Sequence, residues 1–258
     1  MRELYKRIFS GIIGIILLIF IILKGRYYLS IFICILSLVG LREFYGALKN
    51  MGANPVEYIG YLASLGVFIS NLNSKISIDF IFTISLIYLF LLMTFKKSIS
   101  LKDISFTVLS IMYIPFLFNY IFYLDKTKFI WLIFIIPFST DTFAYFTGNL
   151  IGKNKLSPKI SPNKTVEGSV GGILGGLLST IIYSLYMQIT PLWKMIILSI
   201  LISIFAQIGD LVASQIKRKA KIKDYGFIMP GHGGILDRFD SVIFSSPLIY
   251  YYIKYFLN

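Results

Sequence analysis

Apolar residues run along this chain in stretches long enough to cross a membrane, separated by short polar segments. A spanning helix needs about 20 apolar residues, with a range of roughly 17 to 25. Stretches of that order recur at about 8–23, 27–41, 58–72, 78–95, 104–124, 129–148, 168–189, 191–213 and 237–256. The pattern predicts an all-α, polytopic transmembrane helix bundle of about nine spans. The third stretch is the weakest, being short and interrupted by Gly60, Ser64, Gly66 and Ser70. Arg2, Lys6 and Arg7 precede the first, as in a signal peptide, but Lys24, Gly25, Arg26 and Tyr27 follow it instead of a small-residue cleavage site. It reads as a retained anchor.

Composition narrows the class. Of 258 residues, 57% are hydrophobic, 17% aromatic and only 14% charged, against about 25% charged in a soluble domain. Mean hydropathy is +0.78. These values exclude a water-soluble enzyme, a disulfide-stapled secreted domain and a disordered chain. Cys34, the single cysteine, has no partner for an internal disulfide.

The formal net charge is +13. Basic residues concentrate in the cytoplasmic loops of membrane proteins, facing anionic headgroups, so this excess calls for no nucleic-acid partner. With the N-terminus inside, 18 of the 25 Lys and Arg fall on the cytoplasmic side and seven outside. The bias predicts an N-in, C-out arrangement, which requires an odd number of spans.

The acids divide the chain at about residue 125. Residues 1–125 form an N-terminal group of spans, in which Glu3, Glu43, Glu57, Asp79, Asp103 and Asp125 read as ordinary interfacial charges. Residues 126–258 form a second group, expected to carry the chemistry, with cytoplasmic loops at 149–167 and 214–236. Its acids are Asp141, Glu167, Asp210, Asp224, Asp237 and Asp240, and Asp141, Asp210 and Asp237 lie inside or at the edge of an apolar stretch. A carboxylate there costs a few kcal/mol unless it meets a cavity, a cation or a metal. Gln207, Asp210 and Ser214 share one helix face, and Asp237, Asp240 and Ser241 repeat that spacing. Converging oxygens of this kind suit Mg²⁺, which takes one or two carboxylates and leaves room for phosphates. With one histidine and one remote cysteine, no soft-metal ligand set exists.

Cations surround these acids. The first loop, Lys153 to Gly168, carries two Ser-Pro turns and four lysines, and a helix is expected to open near Thr165 to Gly168. Ser161, Asn163, Lys164 and Thr165 would seat a phosphate there, beside a helix N-terminus; a positive-inside loop without a ligand is the competing reading. In the second loop Lys217, Arg218, Lys219, Lys221 and Lys223 lead into Pro230-Gly231-His232-Gly233-Gly234, then Asp237-Arg238-Phe239-Asp240. Glycines there let backbone N–H groups approach an anion closely. The combination points to a phosphorylated or nucleotide substrate beside a lipid. Gly168, Gly172 and Gly176, and likewise Gly171 and Gly175, are spaced by four and admit a close neighbouring helix, within the subunit or across a dimer.

The run Ser214, Lys217-Arg218, Lys223-Asp224, Pro230, His232-Gly233-Gly234, Asp237-Arg238, Asp240 resembles the signature of the phosphatidate cytidylyltransferases, or CDP-diglyceride synthetases, with every spacing kept. Asp141-Thr142-Phe143-Ala144-Tyr145 with Gly148, and Ser157-Pro158 through Ser161-Pro162, Lys164-Thr165 and Glu167-Gly168, are similar to further blocks of that family. The resemblance covers about residues 137–245. It implies a multi-pass enzyme of the bacterial inner membrane, expected as a homodimer, that makes CDP-diacylglycerol and pyrophosphate from CTP and phosphatidic acid. It also implies Mg²⁺ and, in some members, a monovalent cation such as K⁺.

On that reading Asp210 and Asp237 are the first-choice metal ligands, followed by Asp240, Asp141 and Asp224. Lys164, Lys217, Arg218 and Arg238 clamp phosphates, with Lys223 in the same cationic run, and Ser214 touches lipid phosphate or metal. His232 either bonds a phosphate or holds the Gly-Gly turn. The phosphate of phosphatidic acid, with a second pKa of about 6, is already an anionic nucleophile, so no general base is required. Two rivals are a cation-coupled transporter, which leaves the cationic loops unexplained, and a CTP-dependent lipid kinase of the dolichol-kinase group.

Overall fold

A computed structural model describes all residues except Met1, Ser74, 229–232 and Asn258, and for residues 2–10 the backbone alone. Every apolar stretch predicted above forms a helix. They are α1 (Arg2–Lys24), α2 (Arg26–Asn50), α3 (Glu57–Leu72), α4 (Ile78–Phe95), α5 (Leu101–Ile111) continued by α6 (Leu117–Tyr123), α7 (Leu132–Ile151), α8 (Val166–Tyr186), α9 (Leu192–Lys219) and α10 (Leu236–Tyr252). Among the described residues six of these segments are long and apolar enough to cross a membrane; α3, with 16 residues, α10, with 17, and the Gly11–Lys24 part of α1 are shorter. The chain is an all-α, multi-pass membrane protein.

It divides into two compact units, 1–126 with 219–238, and 127–218 with 239–258. In the first, the boundaries follow local chemistry. Gly25, at φ 66°, breaks α1 from α2, and Asp125 Oδ2 accepts from the Arg26 amide at 2.8 Å. Ser100 and Asp103 form a reciprocal capping box at the start of α5. Asp103 Oδ1 and Thr107 Oγ1 also accept from the amides of Asn54 and Val56, pinning the connection from α2 to α3. These are structural tasks, in keeping with an interfacial reading of Asp103 and Asp125. Between α5 and α6 the helix widens to a π turn at Met112–Phe116, where Pro115 supplies no N–H. The core is built on α2, whose Leu29, Ile33, Leu41, Phe44 and Leu48 are buried.

In the second unit α7 and α8 pack along their length, because α8 is nearly bare where α7 crosses it. A Cβ on Gly168 would stand 2.8 Å from the Ala144 carbonyl, and one on Gly172 2.8 Å from the Thr140 carbonyl. Gly171 faces Thr147 and Gly175 faces Phe143, while Gly176 meets Thr140 and Ser203 of α9. Both glycine stripes are thus taken up by helices of the same chain. The first cationic loop is more ordered than its sequence signalled. It forms an antiparallel hairpin of β1 (Lys155–Ser157) and β2 (Ser161–Thr165), with Lys155 opposite Thr165 and Ser157 opposite Ser161. Pro158 lies in the turn and Pro162 in β2, a place open to proline because a two-stranded ladder consists of edges.

Candidate active site

The hairpin leads straight into α8, and the junction is a helix cap. Thr165 Oγ1 accepts from the Gly168 amide at 3.1 Å, so α8 opens where the sequence placed it. Glu167, in the first turn, reaches back to accept from the amides of Lys153 and Asn154 at 3.1–3.2 Å and from Asn154 Nδ2 at 2.8 Å. One carboxylate thereby closes the hairpin's base. At the other end, Arg218 Nε donates to the Ile160 carbonyl at 3.2 Å. Arg218 is therefore attached to the hairpin tip by one donor of its guanidinium.

Held in this way, β2 directs Lys164 onto Asp210 of α9, where the two form an ion pair. Ser214, one turn further on, donates to Asp210 Oδ1 at 3.3 Å, as the four-residue spacing predicts. Gln207 turns aside and donates to the Ser169 carbonyl at 3.2 Å. On α10, Ser241 donates through its hydroxyl to Asp141 Oδ2 at 3.1 Å and through its amide to Asp240 Oδ1 at 2.8 Å. Asp240 is buried and within electrostatic reach of Asp210 and Asp141, with Lys217 as the opposing cation. The close approach of α9 to α10 relies on Gly209, where a Cβ would stand 2.8 Å from the Asp240 carbonyl.

A cavity of about 660 Å³ opens among these elements. Its lining runs from the carboxylates of Asp141 and Asp210 past Lys164 and Gln207 to Asn149, Asn163 and Lys155, with Tyr145 and Gly148 on the α7 side. That volume suits a small polar ligand, and the lining offers cations for phosphates and amides for a base or sugar. Thr165 also borders it, although its hydroxyl is engaged at the helix cap. Ser161 stands opposite Ser157 in the hairpin and is not among the residues that line the cavity.

The remaining expected residues, Lys223, Asp224, Asp237 and Arg238, belong to the first unit. There Asp237 closes a turn: its Oδ2 accepts from the amides of Tyr225 and Gly234 at 2.8 and 2.9 Å. Lys223 and Arg238 are exposed. His232 lies outside the described residues. Sequence reasoning missed Glu43, classed with the interfacial charges. It is buried, and its two oxygens accept from the amides of Ile235 and Leu236, both at 2.9 Å. Its carboxylate lies against Gly226 and Gly234, a contact that nothing in the sequence of α2 marks.

Among the described residues no three of His, Cys, Asp and Glu stand close enough to enclose an ion. Mg²⁺ does not need such an enclosure, since it keeps several waters and takes one or two carboxylates plus substrate oxygens. The donor set here is carboxylate, hydroxyl and amide oxygen throughout, with Asp141, Asp210 and Asp240 against Lys164 and Lys217. Those residues fit a hard divalent cation.

The class so defined is a multi-pass membrane protein with a polar cavity in which carboxylates stand beside lysines. The particular family follows from comparison: the chain matches the model of the cytidylyltransferase family over residues 5–256. A phosphatidate cytidylyltransferase of Staphylococcus saprophyticus is 36% identical over 256 residues, 94% of this chain and 96% of that protein. One from Staphylococcus epidermidis is 37% identical over 257 residues, again 94% and 96%. One from Bacillus subtilis is 35% identical over 268 residues, 99% of this chain and 100% of that protein. The chain belongs to the cytidylyltransferase family and is a nucleotidyltransferase.

Proposed function

We propose that this enzyme transfers CMP from CTP to phosphatidic acid, giving CDP-diacylglycerol and pyrophosphate in phospholipid synthesis. The observation that carries this reading is the Lys164–Asp210 pair on the wall of the 660 Å³ cavity, in a chain related along its length to phosphatidate cytidylyltransferases. CTP fits the cavity's chemistry, its triphosphate toward Lys164 and Lys155 and its polar base and ribose toward Asn149, Asn163 and Gln207. A phosphate oxygen of phosphatidic acid attacks the α-phosphorus of CTP; the new P–O bond forms as the α–β bridge breaks, and pyrophosphate carries the electrons away. Lys164 and Lys217 bind and orient the phosphates and oppose the charge that builds on the leaving group. Asp210 would hold Mg²⁺, with Asp141 and Asp240 beside it. When bound, that ion supplies charge neutralisation at the phosphate oxygens.

The same reading places the protein in the cytoplasmic (inner) membrane with its N-terminus inside and both cationic loops on the cytoplasmic side. It also makes it a homodimer. The test is purified protein with CTP, labelled phosphatidic acid and Mg²⁺. CDP-diacylglycerol with pyrophosphate supports the synthase. Release of CDP with transfer of the terminal phosphoryl group would assign a lipid kinase instead, and absence of turnover would overturn both.

A further inference from the structure

We infer that Glu43 is a positioning residue for the reaction: from α2 it grips the amides that open α10 and so holds the first turn of that helix, which bears Asp237 and Arg238. The inference rests for its kinetic meaning on the proposed cytidylyl transfer and on the metal and phosphate roles that the family resemblance implies for Asp237 and Arg238, and on geometry for its structural one.

The first amides of a helix have no partner within the helix. Ile235 and Leu236 stand at that position on α10, and both donate to Glu43, one to each carboxylate oxygen, at 2.9 Å. The acceptor comes from a residue nearly two hundred positions away and is 6% exposed. A buried carboxylate is retained where its hydrogen bonds are made in full, and a negative charge at a helix N-terminus is also favoured by the helix dipole.

The loop is shaped around this side chain. A Cβ on Gly226 or on Gly234 would run into the Glu43 carboxylate, so neither position has room for a side chain while the acid holds the α10 amides. One turn earlier on α2, Gly40 makes room for Leu236, whose Cδ2 would be 3.1 Å from a Cβ there. One residue later, the Phe44 ring lies 6.4 Å from that of Tyr225. Gly40, Glu43 and Phe44 thus present one helix face to Tyr225, Gly226 and the stretch Gly234–Leu236. Asp237 completes the arrangement from the other side by taking the amides of Tyr225 and Gly234. Two carboxylates divide four amides between them, Glu43 fixing the start of α10 and Asp237 the turn before it. Asp237 and Arg238 follow directly and take their direction from that anchor.

A positioning defect lowers kcat more than it weakens substrate binding, because misplacement of about 1 Å can cost roughly 100-fold in rate. Glu43→Gln keeps the size but offers one acceptor and one donor to two N–H groups. In detergent-purified full-length protein, its kcat is expected to fall about 10- to 100-fold, with KM for CTP and for phosphatidic acid within about threefold of wild type. Glu43→Asp, which keeps the charge, is expected to recover part of the loss. A folded, monodisperse Glu43→Gln with wild-type kcat would overturn the inference, as would an equal loss in Glu43→Asp and Glu43→Gln. Amide hydrogen exchange supplies the independent readout. Glu43→Gln should speed exchange at Ile235 and Leu236 more than at the remaining amides of the first unit. Unchanged protection there overturns the inference even if the wild type makes CDP-diacylglycerol. Faster exchange, with a wild type that makes none, overturns the proposed reaction while leaving the anchor in place.

Discussion

Lys164 of β2 is ion-paired with Asp210 of α9, which ties the hairpin to a long apolar helix alongside the Arg218 bond to the hairpin tip. Each side chain is about one-quarter exposed, at 25% and 28%, and both border the cavity. Neither end of the pair is a spare surface charge, since the hairpin that presents Lys164 is fastened at its base by Glu167 and at its tip by Arg218. Asp210→Asn is expected to keep the fold and lower kcat at least about 100-fold, because neutralising a carboxylate at the reacting phosphates removes charge where transfer needs it. Lys164→Met is expected to act mainly on nucleotide affinity, raising KM for CTP about 10-fold, the scale of one lost charge-assisted phosphate contact. Steady-state kinetics of the two variants, with CTP and phosphatidic acid varied in turn, check both expectations.

Divalent cation is expected to be required for turnover. Treatment with EDTA should abolish activity, and Mg²⁺ should restore it while Zn²⁺ does so poorly, since the site offers oxygen donors alone. The companion measurement is binding of Mn²⁺ as a spin probe in the presence of CTP. Asp210→Asn should weaken that binding, and an unchanged affinity would remove Asp210 from the ligand set.

The packing of α8 on α7 makes a prediction about stability. Gly172 lies against the Thr140 carbonyl and the Ala144 methyl group, where backbone on one side cannot yield as a flexible side chain would. Gly172→Ala is expected to destabilise the second unit by about 1–3 kcal/mol, the ordinary cost of overpacking a closed contact. By contrast, Gly46, which has open space around it, should tolerate alanine. Thermal unfolding in detergent compares the two.

These contacts show what the sequence could express. The start of α8 was legible because Thr165 is a helix-capping residue followed three positions later by the amide it caps. The Asp210–Ser214 contact was legible because helical spacing alone brings the two together. Glycines four apart announced a close helix, yet not which one; α7 and α9 take those positions through Thr140, Ala144 and Ser203, none of which is marked in the sequence. Glu43 was illegible for the same reason on a longer scale. It follows Arg42 near the end of an apolar stretch, as interfacial acids do, and its partners are backbone amides, which carry no side-chain signature. The hairpin was hidden by its own composition, since lysines and prolines are poor strand formers and its fastenings come from outside the strands, Glu167 at the base and Arg218 at the tip.

Buried hydroxyls supply the last prediction. Thr140 donates to Ser203 Oγ at 2.9 Å, linking α7 to α9, and Thr180 reaches Ser199 Oγ at 3.0 Å, linking α8 to α9. All four residues are fully buried. Interhelical hydrogen bonds in membrane proteins contribute about 0.6 kcal/mol on average, up to about 1.7. Removing one partner also leaves the other polar group buried without it, at about 1–3 kcal/mol. Thr140→Val is therefore expected to destabilise more than the bond itself is worth, by about 1–2 kcal/mol. Adding Ser203→Ala to it should recover part of the loss, because the stranded hydroxyl is then gone. The same cycle on Thr180 and Ser199 is expected to couple more weakly, since the single proton of Thr180 goes to the Gly176 carbonyl at 2.7 Å and its oxygen accepts from Ser199. Double-mutant cycles read by reversible unfolding in mixed micelles decide the matter. Strictly additive losses at Thr140 and Ser203 would show that the hydroxyl pair does not couple α7 to α9.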